Sequence, residues 1–166
     1  MREVAQVVAY IPRLRRYARA LVGDRAAADD LVQDTLERAW VKFHLWRPGS
    51  DLRAWLFTVM HNVRVNQVRG AHSTVPLDEE DFDFGVAGAQ GAALEIRDLE
   101  RSLALLPSEQ REVLLLVALE DLSYAEAGRA LGIPIGTVMS RLSRAREKLR
   151  AAMHGLPLAA RLQVIK

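Results

Sequence analysis

The 166-residue chain contains no cysteine. That absence excludes disulfides, thiolate metal sites and cysteine nucleophiles together, and it fits the reducing interior of a cell, so a cytoplasmic location is expected. No run of about 18 apolar residues is present, and no membrane insertion is expected. No segment alternates apolar and polar residues with the period of a strand, so the expected fold is all-α. Chemistry is scarce as well. His44, His61, His72 and His154 are scattered singly, and no nucleophile, base and orienting group can be assembled into a set. Asp29, Asp30, Asp34 and Glu37 share one helix, but no second acidic helix with a suitable histidine faces them. These carboxylates are therefore expected to meet solvent or a partner rather than a metal. The chain is expected to be no enzyme, with no catalytic residue, no metal and no cofactor.

What is present is the composition of a globular protein, 50% hydrophobic and 27% charged. The net charge of +2 conceals an uneven distribution. Residues 1–70 and 124–150 carry an excess of arginine. Residues 71–93 hold no lysine or arginine, but contain Asp78, Glu79, Glu80, Asp81 and Asp83. Two basic domains joined by an acidic connector is the pattern that needs explaining.

The first domain, residues 1–70, reads as three helices. Its arginine-rich, acid-poor start resembles a transit peptide, yet the spacing of Ile11, Leu14, Tyr17, Ala18 and Leu21 equally marks a core-facing helix, which is the preferred reading. Gly23 and Asp24 predict a break and an N-cap. Ala28, Leu31, Val32, Thr35, Leu36, Ala39, Trp40 and Phe43 then trace a long apolar stripe. A loop through Trp46, Pro48 and Gly49 leads to a third helix, capped by Ser50 or Asp51, striped by Leu52, Trp55, Leu56, Val59, Met60 and Val63, and ending at Gly70. Residues 71–93 have no helical or strand period and are expected to form a flexible linker. The second domain, residues 94–154, opens with a helix striped by Ile96, Leu99 and Leu103. Pro107 interrupts it, residues 113–119 belong to a very apolar helix, and a tail spans 155–166.

Residues 123–150, SYAEAGRALGIPIGTVMSRLSRAREKLR, spell a helix-turn-helix. Ser123 and Glu126 form a capping box. Ala127, Ala130 and Leu131 share one face, Gly132 supplies a left-handed helix end, and Pro134 starts the next helix. In that second helix Val138, Leu142, Ala145 and Leu149 recur at helical spacing. Thr137, Met139, Ser140, Arg141, Ser143, Arg144 and Lys148 are left on the outer faces. Small, hydroxylated and cationic side chains suit a major groove, where hydroxyls reach phosphates or base edges and arginine pairs bidentately with guanine. An amphipathic helix with a merely solvated basic face is the plainer alternative.

Aromatic and amide side chains add two further candidates. Trp40 and Trp55 lie on apolar stripes and are expected in the core. Trp46 lies in the loop before Pro48, where it could stack on an unpaired base or fold back onto its own domain. The polar side of the third helix, Arg53, His61, Asn62, Arg64, Asn66, Gln67 and Arg69, mixes cations with amides. It is either a solvated face or a surface for single-stranded DNA, with amides on base edges and arginines on phosphates.

Together these segments resemble the extracytoplasmic-function sigma factors of bacterial RNA polymerase. DDLVQDTLERAWVKF is similar to the family's core-binding helix, and DLRAWLFTVMHNVRVNQVR to the promoter-melting helix that follows it. LPSEQREVLLLVALEDLSYAEAGRALGIPIGTVMSRLSRAREKL is similar to the carboxy-terminal domain along its whole length. Two unrelated motifs in family order and at family spacing make the likeness specific.

The resemblance implies an initiation subunit in the bacterial cytoplasm whose partners are core RNA polymerase, promoter DNA and an anti-sigma factor. Its first domain would dock on the β′ clamp helices through Asp30, Gln33, Asp34 and Arg38, and capture the melted minus-10 strand. Asn62 matches the asparagine beside the base pocket, whose wall would be the loop at residues 44–50; Trp46, Arg53, His61, Asn66 and Arg69 complete the candidate minus-10 set. The second domain would hold the β flap and read the minus-35 duplex through Met139, Ser140, Ser143 and Arg144, with Thr137 and Arg141 beside them. Met139 stands where the family often has a basic residue, His61 replaces a frequent arginine, and Asn66 a frequent aspartate. Met139 thus exchanges a phosphate or guanine contact for an apolar one, such as a thymine methyl. Two rivals remain: a stand-alone helix-turn-helix regulator, and a sigma mimic that titrates a regulatory protein.

Overall fold

The computed structural model describes residues 2–71 and 92–153; much of the expected linker and nearly all of the tail lie outside them, together with His72 and His154. Seven α-helices are present among the described residues, and no strand. They are α1 (Arg2–Val22), α2 (Arg25–Lys42), α3 (Leu52–Ala71), α4 (Ala92–Ala104), α5 (Ser108–Leu114), α6 (Tyr124–Leu131) and α7 (Ile135–Ala152). A 3₁₀ turn, Phe43–Leu45, follows α2, and a π-helical turn, Leu115–Leu119, extends α5.

In the first domain α2 packs against both α1 and α3. Leu14, Tyr17, Ala18 and Leu21 are buried as their spacing predicts, and meet Leu31, Leu56 and Met60 in the core. Each such side chain contributes about 1.5–3 kcal/mol when fully removed from water. Phe57, outside the predicted stripe, is also buried and meets Tyr17 edge-on with ring centroids 4.9 Å apart. Pro12 lies inside α1 and removes a rung of its ladder, yet the helix continues through it. Gly23 turns the chain at φ 80°. Asp24 caps α2 by accepting from the Ala27 N–H at 3.0 Å. Of the two candidates for the α3 cap it is Asp51 that serves, accepting from the N–H groups of Arg53 and Ala54.

Several expectations need correction. Trp40 is 69% exposed rather than in the core, and with Val41 and Leu45 it forms an apolar surface at the end of α2. The buried stripe of α2 runs through Ala28, Leu31, Val32, Thr35 and Ala39, and Trp40 lies one residue, about 100° of turn, beyond it. Ile96 is likewise 44% exposed, whereas Leu99 and Leu103 are buried. α3 continues one residue past Gly70, and α4 begins at Ala92, inside the stretch assigned to the linker.

The helix-turn-helix follows its sequence signals closely. Ser123 accepts from the Glu126 N–H and Glu126 accepts from the Ser123 N–H, each at 3.1 Å. Gly132 ends α6 at φ 66°, in the left-handed region that a side chain disfavours. Val138, Leu142, Ala145 and Leu149 of α7 are all buried against α5 and α6. Gly128 lets the turn close on itself. A Cβ there would stand 3.0 Å from the Ile133 carbonyl oxygen, and that residue's N–H is already fixed to the Gly128 carbonyl at 3.0 Å. Gly128→Ala, although it favours helix in isolation, is therefore expected to destabilise the protein by about 1–3 kcal/mol through overpacking, as read by urea denaturation.

Candidate nucleic-acid interface

The recognition helix is held from below and open above. α7 buries one stripe, so Met139 is 51% exposed, with Ser140, Ser143, Arg144 and Lys148 exposed around it and Thr137 and Arg141 half-buried. The Ser140 hydroxyl donates to the Thr137 carbonyl at 3.1 Å. Arg141 is drawn toward α5 by Glu109, 3.5 Å away. Ile135, which the spacing argument passed over, adds a second exposed aliphatic residue at the start of α7, one turn from Met139.

The first domain presents its candidate residues on two surfaces. Asp30, Gln33, Asp34 and Arg38 lie on the exposed side of α2. A groove of about 490 Å³ between α2 and α3 is lined by Asp34, Glu37, Arg38, Val41, Val63, Asn66 and Gln67. Gln67 donates to Asp34 at 2.7 Å, which ties the two helices' polar edges together, and Gln33 donates to Glu37 at 3.4 Å along α2. Asn66, assigned from the sequence to the minus-10 set, thus shares a groove with two residues assigned to polymerase docking. Asn62 and Arg69 are exposed along the same helix. Trp46 is half-buried, its ring against Phe43 at 5.4 Å, and its indole nitrogen is enclosed; it folds back onto its domain in this structure.

Arg53 and His61 stand elsewhere, against the second domain. α3 packs on α6, and α1 on α5 and the π-helical turn, so the two bundles meet along a charged seam. Arg53 donates to the Glu120 carbonyl at 3.1 Å and lies 3.8 Å from the Glu126 carboxylate. His61 Nδ1 pairs with the Glu112 carboxylate. Glu120 is fully buried, with Arg16 at 3.2 Å and Arg13 at 3.8 Å from its two oxygens. Burial pushes the Glu120 carboxyl above the ordinary glutamate value although all three arginines pull it down. The π-helical turn and the left-handed Asp121, at φ 56°, aim this side chain inward.

Arg111 forms the other half of the seam. It lies buried on α5 and donates to the carbonyls of Leu103, Ala104 and Leu106 at the end of α4, and to Leu21 at the end of α1. One guanidinium therefore satisfies the carbonyl ends of helices from both domains. Burial, with the nearby charge of Arg64, lowers its pKa to about 10, so it stays cationic at neutral pH. Arg13, Arg16, Arg111, Glu112 and Glu120 all escaped the reading of the sequence, because their positions signal nothing until the domains meet.

Comparison with known proteins bears directly on this arrangement. Residues 7–61 match the family described as the Sigma2 domain of PhyR, and residues 96–149 match Sigma-70, region 4. The ECF RNA polymerase sigma factor EcfG of Rhodopseudomonas palustris is 39% identical over 154 residues, covering 89% of this chain and 83% of that one. The chain belongs to the extracytoplasmic-function sigma factors. Among solved structures, the sigma factor RpoE of Bartonella quintana, crystallised with the anti-sigma factor NepR, superimposes with a TM-score of 0.78 at 36% identity, covering 90% of this chain and 94% of that one. CnrH, in complex with the cytosolic domain of CnrY, gives 0.67 at 29% identity over 91% and 86% of the two chains. Residues 96–149 of this sigma factor, which match region 4, contain the capped helix-turn-helix, and the stretch matching the PhyR domain runs from α1 into α3.

Replacing Arg111 by methionine removes the guanidinium donor from four carbonyls of this sigma factor, of which Leu103 alone keeps the Leu106 N–H among the bonds described. The expected cost is about 3 kcal/mol or more in urea denaturation, and lysine at that position, with a single ammonium in place of a planar fork, recovers little of it.

Proposed function

We propose that this sigma factor engages its promoter at two separate places while mounted on core RNA polymerase, and that an anti-sigma factor controls it. The protein directs core polymerase to specific promoters and assists strand opening; the polymerase supplies the chemistry. α7 enters the minus-35 major groove with Ser140, Ser143 and Arg144 toward base edges, Met139 on an apolar feature such as a thymine methyl, and Thr137 and Arg141 at the margins. Asn62, Asn66 and Arg69 serve the minus-10 strand, joined by Trp46, Arg53 and His61 once the seam between the domains opens. Asp30, Gln33, Asp34 and Arg38 dock on the β′ clamp helices, beside the exposed Trp40 and Val41. The second domain rests on the β flap, and the protein works in the cytoplasm.

The observation that carries this reading is the exposed Ser140, Ser143 and Arg144 face on a helix whose opposite stripe is fully buried. Arginine-rich faces supply salt-dependent attraction to phosphates, and a few side chains in each domain supply discrimination of about 1–3 kcal/mol per base pair. Two modest contacts on one polymerase then combine through effective concentration. Support for anti-sigma control comes from the RpoE relative, 36% identical and solved with the anti-sigma factor NepR. The cytoplasmic reading agrees with the absence, among the described residues, of any helix long and apolar enough to cross a membrane.

The match of the first domain to a PhyR family favours one rival, the sigma mimic. Transcription reconstituted with bacterial core polymerase separates the two. The wild type is expected to give promoter-specific transcripts and to bind duplex DNA weakly alone. Arg144→Ala and Asn62→Ala are each expected to reduce initiation by about tenfold to a hundredfold without unfolding the protein, because both side chains are exposed. A mimic yields no transcript at any promoter.

A further inference from the structure

Three arginines of the first domain meet one glutamate of the second, Arg13 and Arg16 at the Glu120 carboxylate and Arg53 at its backbone carbonyl. Arg13 and Arg16 lie one turn apart on α1, and Arg53 opens α3 beside them. Glu120 is enclosed at 0% exposure, while the Arg13 and Arg16 side chains keep 39% and 49% of their surface in solvent. The cations thus form an open-sided strip, and the buried anion lies against its inner edge. Arg53 places its Nη1 on the Glu120 carbonyl, and its Nη2 donates to Asp51 of its own domain at 3.3 Å and lies 3.8 Å from the Glu126 carboxylate.

This cluster is poorly explained as a device for stability. One oxygen of Glu120 has no hydrogen-bond donor, its closest cation being Arg13 at 3.8 Å, and desolvation outweighs the pull of the three guanidinium groups. A buried ion pair in that condition contributes little to holding the domains together. Arginines arranged around an oxyanion, open to solvent on one side, are equally the arrangement that grips a phosphate.

We propose that Arg13, Arg16 and Arg53 form a backbone-phosphate site for single-stranded nucleic acid, and that in the closed chain the Glu120 carboxylate occupies it in place of phosphate. The inference rests on the promoter-strand reading above and adds two contact residues on α1 and an internal competitor. Strand and second domain cannot hold the strip together, so separation of the domains and capture of the melted strand are one exchange of anions. The Glu112 carboxylate on His61 repeats the pattern one step along the seam.

The test uses the full chain and a short fluorescein-labelled oligothymidine, followed by anisotropy. Glu120→Gln removes the competing charge and is expected to tighten binding about tenfold. Adding Arg13→Ala and Arg16→Ala to that variant should return affinity to the wild-type level or below and flatten its salt dependence. Removing the exposed Arg15 and Arg25 instead, at the same charge, should leave the gain in place. If Glu120→Gln does not fold, Glu126→Gln, which keeps the capping box, carries the same expectation at smaller size. The proposal is overturned if neither variant binds more tightly than wild type, or if the Arg13/Arg16 and Arg15/Arg25 double replacements act alike. Transcription with core polymerase, run on the same proteins, keeps the two readings apart: normal promoter-specific initiation alongside unchanged strand binding removes this proposal alone.

Discussion

The joint between the two domains carries a buried charge, and the burial of Glu120 beneath Arg13, Arg16 and Arg53 is what its geometry turns on. The buried apolar residues, among them Leu14, Leu31, Leu56 and Met60 of the first domain and Val113, Leu142 and Leu149 of the second, belong to one continuous core. Across the joint, where α3 packs on α6 and α1 on α5 and the π-helical turn, lie polar contacts as well: Glu120 among arginines, Glu112 on His61, and Arg111 on the Leu21 carbonyl. The ion pairs add less to this interface than their number suggests, because desolvating the charges consumes most of the Coulombic gain. Such a joint is suited to being opened.

The two halves of the seam differ in kind. Arg111 donates to four carbonyls, three of them within its own domain (Leu103 and Ala104 of α4, and Leu106 just beyond it), so most of its bonds survive separation of the bundles. Glu120 takes its cationic partners entirely from the first domain, and separation leaves it in water with nothing lost that solvent does not replace. The structure therefore places its stability inside each domain and its reversibility between them. That division matches a protein whose two reading surfaces must reach two places on a promoter.

Much of the fold was legible in the chain itself. The capping box at Ser123 and Glu126, the left-handed Gly132 and the stripe through Val138, Leu142, Ala145 and Leu149 all stand where local chemistry puts them, as do the Asp24 cap and the turn at Gly23. These features depend on neighbours within a few residues, and sequence order supplies those neighbours directly. The exposure of Ser140, Ser143 and Arg144 followed from the same periodicity. Trp40 was misread for an equally physical reason. Periodicity finds the apolar stripe but not its width, and which edge of a wide stripe is covered depends on how closely the adjacent helices approach.

Local hydrogen bonding and a 3.6-residue period, both properties of contiguous chain, were enough to determine the all-helical order, the caps at Asp24 and Ser123, the helix-turn-helix and its outward face. Tertiary structure alone decided that Arg53 and His61 face carboxylates instead of solvent, that Trp46 folds onto Phe43, and that Arg13, Arg16 and Glu120 meet at all. Arg16 and Glu120 are more than a hundred residues apart in the chain. A contact across such a gap leaves no periodic trace, and a buried ion pair draws its strength from the water excluded around it, which only the packed domains can provide.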